Sequence, residues 1–95
     1  MKKMNAYVEL KDGTEIGPVR VNLEHKMQGE RTCKARGIGL DTFEAEVLMS
    51  WLATRDTEGP LKGLGYDDWR AQVLDSQMTV DETEAGDVDP TNRDR

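Results

Sequence analysis

The chain has 95 residues, a formal net charge of −6 and only 36% hydrophobic residues, so it is long enough for one small domain. Its single cysteine excludes an internal disulfide. The sequence has no long apolar run, so we predict no signal peptide and no membrane-spanning helix. The acidic balance argues against a nucleic-acid-binding protein, because that affinity depends mainly on Lys and Arg contacts to phosphate. The charge is uneven, since residues 1–40 carry +3 and residues 41–95 carry −9.

The N-terminal part of the sequence predicts a β-hairpin. Residues 5–10 alternate between apolar and polar side chains, which is the period of a half-buried strand. Asp12-Gly13 follows as a typical hairpin turn, and residues 16–23 form the apolar return strand. Gly17-Pro18 interrupts this strand. Because Pro cannot donate a ladder hydrogen bond, we expect an edge strand or a bulge there.

A first helix is predicted over residues 23–36. Asn22 is a suitable N-cap, and a glycine follows the last helical residue. The apolar stripe of this helix is short, formed by Leu23 and Met27, and Gly29 in its interior costs roughly 1 kcal/mol relative to Ala. A continued strand or a mobile segment is the alternative for this stretch.

A second helix is predicted from Asp41 to Leu52. Asp41 and Glu44 fit a capping box, in which the Asp41 side chain accepts a hydrogen bond from the Glu44 amide. Large apolar residues then recur at helical spacing and are expected to form one buried face: Phe43, Val47, Leu48, Trp51 and Leu52.

A third helix is predicted from Tyr66 to about Gln77. A loop rich in Gly and Pro over residues 57–65 precedes it. Acidic residues occupy its first turn, where negative charge suits the helix dipole. Its apolar stripe is predicted to consist of Tyr66, Trp69, Val73 and Leu74.

These elements predict an α+β fold in which a small N-terminal β-hairpin packs on two or three short helices. The domain is expected to span residues 1–79, and residues 80–95 are expected to form an acidic disordered tail. Six of the fifteen residues from Asp81 onward are acidic, and Val88 is the only large apolar one. Such a segment buries too little apolar surface to offset its ordering entropy.

No motif predicts catalysis, a cofactor or a metal site, so we expect a non-enzymatic protein. His25 and Cys33, each the only residue of its type, lack a third orienting group and are expected to be ordinary surface residues. The glycine pairs around Ile38 and Leu64 lack the spacing of phosphate loops. Basic residues of the first helix are mixed with acidic ones, which favours a solvated face over phosphate contact: Lys26, Arg31, Lys34 and Arg36.

The aromatic residues are expected to form the core and, in part, a surface for a partner. Two short helices over one hairpin give little cover for two Trp, and an exposed apolar face marks an interaction site. The residues predicted to bind a partner are Phe43, Val47, Trp51, Tyr66, Trp69 and Val73.

Five short motifs follow one another along the chain. A V-x-L-x-D-G strand start occupies residues 8–13, and an Asn-started basic helix occupies residues 22–36. A pattern like W-x-A-x-R with a later Gly occupies residues 51–59, a Y-[DE]-[DE]-[FW] motif occupies residues 66–69, and D-P-T occupies residues 89–91. In this order the motifs resemble the short tail assembly chaperones of long-tailed bacteriophages that infect actinobacteria.

The resemblance implies a function without catalysis. Proteins of this family, together with a frameshifted longer form, bind the tape measure protein and keep that long helical, apolar chain soluble while the tail tube assembles. It further implies a homo-oligomer or several copies per client, action in the bacterial host cytoplasm and absence from the mature virion. Two features depart from the family pattern: Gly65 stands where a capping Ser or Thr is usual, and the middle helix has fewer aromatic residues.

Two alternatives from other classes stay open. One is a small acidic phage regulator or anti-host inhibitor that imitates nucleic acid through its Asp and Glu residues. The other is a minor virion protein, such as a head–tail connector. None of these functions requires a cofactor, direct nucleic-acid binding or a membrane.

Overall fold

The computed structural model describes residues 2–82. The elements in chain order are β1 (Lys2–Leu10), β2 (Glu15–Arg20), α1 (Leu23–Arg36), α2 (Phe43–Thr54), α3 (Tyr66–Gln72) and β3 (Val73–Glu82). The predicted α+β class, with a β-hairpin packed on short helices, is confirmed. Strand β3 takes residues 80–82 out of the predicted acidic tail, and the remainder of that tail, residues 83–95, lies outside the described residues.

The three strands form one antiparallel sheet in the order β2-β1-β3. Ala6, Val8 and Leu10 of the central strand are buried, as their alternation predicted. The turn of the hairpin is fixed locally, because the Leu10 N–H donates to the Thr14 carbonyl at 2.8 Å. The carboxylate of Asp12 accepts from the Thr14 N–H at 2.9 Å, and this bond lowers the pKa of Asp12.

Gly17-Pro18 predicted an edge strand or a bulge, and both are present. Strand β2 lies at the edge of the sheet, and the register of β1 against β2 shifts between Ala6 and Val8. Gly17 has φ 135°, and a Cβ added to it would lie 2.8 Å from the Ala6 carbonyl oxygen. Only glycine fits this close approach of two backbones.

Helix α1 has the bounds and caps that its sequence predicted, but it buries a different face. The His25 N–H donates to Asn22 Oδ1 at 3.0 Å, and the Asn22 N–H donates to His25 Nδ1 at 3.2 Å, which completes a capping box. Leu23 and Met27, the predicted stripe, are exposed, whereas His25, Gly29 and Cys33 are buried. The expected apolar stripe was therefore wrong.

Gly29 explains why α1 buries this face. A Cβ on Gly29 would lie 3.0 Å from Cγ of Met49 on α2. The missing side chain lets the two helices approach closely, and it compensates for the poor helix propensity of glycine. A position that looked like a weakness of the helix is thus its contact point with α2.

The N-cap of helix α2 lies one residue later than predicted, and the helix is buried on more than one face. Thr42, not Asp41, is the N-cap, and its Oγ1 accepts from the Ala45 N–H at 3.2 Å. The five residues Ser50–Thr54 are all buried, and Phe43 is exposed. The expected single apolar face was therefore wrong, because α2 packs on the sheet, on α1 and on α3.

The third helix is shorter than predicted, and a strand replaces its second half. Helix α3 ends at Gln72, and Val73–Glu82 pair antiparallel with the whole of β1. Apolar residues in this stretch fit a helical stripe up to Leu74, but beyond it Met78 and Val80 follow the period of a strand. Pairing with β1 decides between the two, since an isolated two-stranded hairpin is only marginally stable in water.

We expect Gly17→Ala to lower the free energy of unfolding by about 2–3 kcal/mol, because the new methyl group meets backbone and the positive φ strains an L-residue. Gly13→Ala is the matched control. Gly13 also has a positive φ, but nothing lies within 4 Å of its Cβ position, so we expect a loss of only about 1 kcal/mol. Chemical denaturation measures both, and equal losses would contradict the close-approach explanation.

Candidate interaction surface

Three of the predicted partner-binding residues form an aromatic cluster inside the protein. Trp51 and Tyr66 meet edge-on with ring centroids 5.3 Å apart, and Tyr66 and Trp69 stack at 6.3 Å. These are favourable geometries for aromatic pairs. All three side chains are buried, Trp69 completely. Both tryptophans therefore face inward.

Hydrogen bonds hold the two tryptophans in place. The Trp69 indole donates to Thr54 Oγ1 at 2.9 Å, and Thr54 Oγ1 in turn donates to the Ser50 carbonyl at 2.7 Å. The Trp51 indole donates to the carbonyl of Leu64 at 2.8 Å, which ties the loop before α3 to α2. Both indole N–H groups thus have partners, as buried tryptophans require.

Three arginines lie over the aromatic rings. The guanidinium groups of Arg36 and Arg70 are 5.0 Å and 5.7 Å from the Tyr66 ring centroid. Arg55 lies 4.9 Å from the Trp51 ring centroid. At these distances the cations are attracted by the ring faces, and their side chains help to screen the cluster from water.

The Tyr66 hydroxyl is buried and makes no well-formed hydrogen bond to any group in residues 2–80, although the Arg70 guanidinium interacts with it. Burial raises the pKa of Tyr66, and the nearby charge of Arg70 offsets this only in part. An unsatisfied buried hydroxyl costs free energy in the folded state. The ring of Tyr66 therefore stabilises the core, whereas its buried hydroxyl destabilises it.

The apolar surface open to a partner is smaller than the sequence predicted. Trp51, Tyr66 and Trp69 are buried and add nothing to the exposed surface in this conformation, and their role in binding a partner stays a prediction. Phe43 is 64% exposed, and Val47 and Val73 are half-buried. We call the apolar residues at the start of α2 and just before it the α2 patch; it consists of the exposed Leu40 and Phe43 and the half-buried Val47.

Sequence reasoning missed Leu40 because it lies just before the helix and outside any periodic pattern. Only the structure reveals Leu40, because its side chain is exposed close in sequence to the exposed Phe43. Exposed apolar side chains that lie together indicate an interaction surface. The acidic residues Asp41, Glu44 and Glu46 are exposed around them. The α2 patch is thus apolar with an acidic border.

The outer face of the sheet is acidic. Glu9 of β1 lies opposite Glu15 of β2 and opposite Asp75 of β3, so three carboxylates form a row across the sheet. No ion pair joins any of the three to a cation within residues 2–80. A shallow groove of about 350 Å³ runs along this row, and Tyr7 and Gln77 contribute to its walls.

His25 and Cys33 are buried, contrary to the expectation of ordinary surface residues. Because Nδ1 of His25 accepts from the Asn22 N–H, the proton lies on Nε2, which donates to Asp56 Oδ2 at 2.8 Å. This bond joins the start of α1 to the turn after α2. Burial, and then the charge of Glu44, raises the pKa of Cys33, which keeps the thiol protonated and weakly nucleophilic.

We expect Tyr66→Phe to raise the free energy of unfolding by about 1 kcal/mol at neutral pH, because it removes a buried hydroxyl that makes no well-formed hydrogen bond within residues 2–80. Folding raises the pKa of this phenol, so the wild type loses stability as the pH rises above the unfolded value near 10, and the advantage of the variant should then widen. Denaturation at neutral and alkaline pH measures both effects.

We expect Trp69→Phe, in contrast, to lower the free energy of unfolding by about 1–3 kcal/mol, because Thr54 Oγ1 then loses the indole N–H that donates to it.

We searched for a membrane-spanning helix, for a metal site and for similar proteins. No helix in the described part of the chain is long and apolar enough to cross a membrane. Residues 2–82 also contain no group of three or more His, Cys, Asp or Glu residues arranged to hold a metal ion. Comparison with known protein families, with curated proteins and with solved structures found no match.

Proposed function

We propose that this protein is a tail assembly chaperone of a long-tailed bacteriophage, which binds the tape measure protein and keeps it soluble while the tail tube assembles. The resemblance of the sequence motifs to that family supports the proposal. The structural observation that supports it is the α2 patch, which leaves Phe43 as the most exposed aromatic side chain among residues 2–80. An exposed aromatic beside other apolar residues suits contact with an apolar client.

The surroundings of the α2 patch suit a helical client. A long helix that later joins a coiled-coil-like bundle carries an apolar stripe bordered by charged residues. Phe43 and Val47, one turn apart on α2, can pack on such a stripe, while the exposed Asp41, Glu44 and Glu46 can pair with basic residues at its border. Many weak contacts along one client would give avidity, and each copy could still be displaced by the tube.

We expect Phe43→Ser to abolish most of the gain in client solubility that co-expression with the wild-type chain provides. The measurement is the soluble fraction of a phage tape measure protein, with and without this chain. Leu23→Ser is the matched control, because Leu23 is 68% exposed at the start of α1, which is bonded to the turn after α2 and so lies at the opposite end of α2 from the α2 patch. This control should behave as wild type. A client that is no more soluble with the wild-type chain than alone would refute the function.

Removing residues 83–95 tests the contribution of the acidic tail. This segment carries four acidic and two basic residues, so the truncated chain loses net negative charge. We expect the truncated protein to fold with an unchanged melting temperature, and its complex with the client to precipitate at lower concentration, because net charge keeps such complexes apart. A complex of unchanged solubility would exclude a role for the tail charge.

The second candidate function is inhibition of a basic host protein by imitation of nucleic acid. The row of carboxylates on the outer sheet face, formed by Glu9, Glu15 and Asp75, favours it. Salt dependence separates the two candidates. Binding through carboxylates weakens steeply with added salt, whereas apolar client binding tolerates salt and depends on Phe43.

A further inference from the structure

Two arginines from different helices converge on the ring of Tyr66. Arg36 is the last residue of α1, and Arg70 lies one turn after Tyr66 on α3. Their guanidinium carbons are 5.0 Å and 5.7 Å from the centroid of the Tyr66 ring. Both arginine residues are exposed, so a ligand in solvent can approach their side chains.

Neither guanidinium has a carboxylate partner in the described side chains. The ion pairs among residues 2–80 join other residues, and none includes Arg36 or Arg70. Burial is the largest cause that raises the pKa of Tyr66; the charge of Arg70 lowers it, and that of Glu44 raises it again. Glu44 is thus close enough to act on the hydroxyl without pairing with either arginine. Two positive charges and one negative charge leave a local excess of one positive charge.

The Tyr66 hydroxyl lacks an acceptor for its own proton within residues 2–80. Arg70 interacts with this hydroxyl, but a guanidinium carries only donors and cannot accept the phenolic proton. Buried hydroxyls are nearly always paired, so this one is suited to a ligand that accepts a hydrogen bond. Because Arg70 is exposed, a rotation of its side chain gives such a ligand access to the hydroxyl.

A carboxylate has the chemistry that all three groups require. It has two acceptor oxygens, of which one can accept from the Tyr66 hydroxyl and the other from arginine N–H groups. Its single negative charge balances the local positive excess. A phosphate group, with a charge of about −1.5 to −2 at neutral pH, exceeds that excess and is repelled by Glu44. We propose that Arg36, Arg70 and the Tyr66 hydroxyl bind one carboxylate group, presented by an Asp or Glu side chain of a partner protein.

The surroundings of this carboxylate site favour a protein as its ligand. Glu44 directly follows Phe43 in the sequence, and Leu40 lies four residues after Arg36, so the exposed residues of the α2 patch lie close to the site along the chain. A protein surface presents apolar and acidic side chains together, which a small organic acid does not. The site rests on these contacts alone and does not depend on the proposed chaperone function.

An NMR titration with acetate tests the site, because acetate has the structure of an aspartate side chain cut at Cβ. At constant ionic strength, we expect the Nε–Hε signals of Arg36 and Arg70 to shift saturably. The signal of Arg55 should stay in place, because Arg55 lies over Trp51, whose indole N–H already has an acceptor. Inorganic phosphate, titrated in the same way, should bind no more tightly than acetate.

Two variants test the assigned groups. Arg70→Gln and Tyr66→Phe should each weaken acetate binding about tenfold, because each removes a hydrogen bond to a charged ligand. Arg55→Gln is the matched control, since it also removes a guanidinium from an aromatic ring, and it should bind acetate as the wild type does. The stability advantage expected of Tyr66→Phe should shrink as acetate is added, because acetate then stabilises the wild type more than the variant.

A pair of blocked peptides tests whether the carboxylate can come from a protein. N-acetyl-Leu-Asp-Leu-amide should bind at least as tightly as acetate, whereas the same peptide with Asn in place of Asp should not bind. Three results would each overturn the proposal: acetate binding that Tyr66→Phe leaves unchanged, phosphate binding tenfold tighter than acetate binding, or a site that takes acetate and excludes the Asp peptide.

Discussion

The hydrogen bond from the Trp69 indole to Thr54 Oγ1 joins the two halves of the chain at the centre of the core. A buried tryptophan needs a partner for its N–H, and Thr54 supplies one at the end of α2. Because Thr54 itself donates to the Ser50 carbonyl, the acceptor is held in position. This contact fixes α3 against α2, and α3 leads directly into β3, which completes the sheet.

Helix α2 is the element on which the other elements pack. It contacts all three strands, α1 and α3. Gly29 allows α1 to approach it closely, and the capping bond of His25, continued to Asp56, ties the start of α1 to the turn that follows α2. A chain with few apolar residues can thus form a core, since one helix shares its buried surface with several neighbours.

Burying the aromatic cluster changes where partners can bind. Trp51, Tyr66 and Trp69 stabilise the domain, so contacts with other proteins fall to residues at its margins. The α2 patch is apolar and the outer sheet face is acidic, so these two surfaces suit partners of different chemistry.

The sequence by itself determined the local structure: the hairpin turn at Asp12-Gly13, the caps of α1 and the concentration of aromatic residues in the core, because these depend on neighbours along the chain. Tertiary structure decided what depends on distant partners. Residues after Gln72 suited a helix or a strand, and only pairing with β1 selected the strand. Packing between elements likewise decided which face α1 buries, that Phe43 is exposed and that Trp51 and Tyr66 are buried. Local periodicity does not predict which elements pack together.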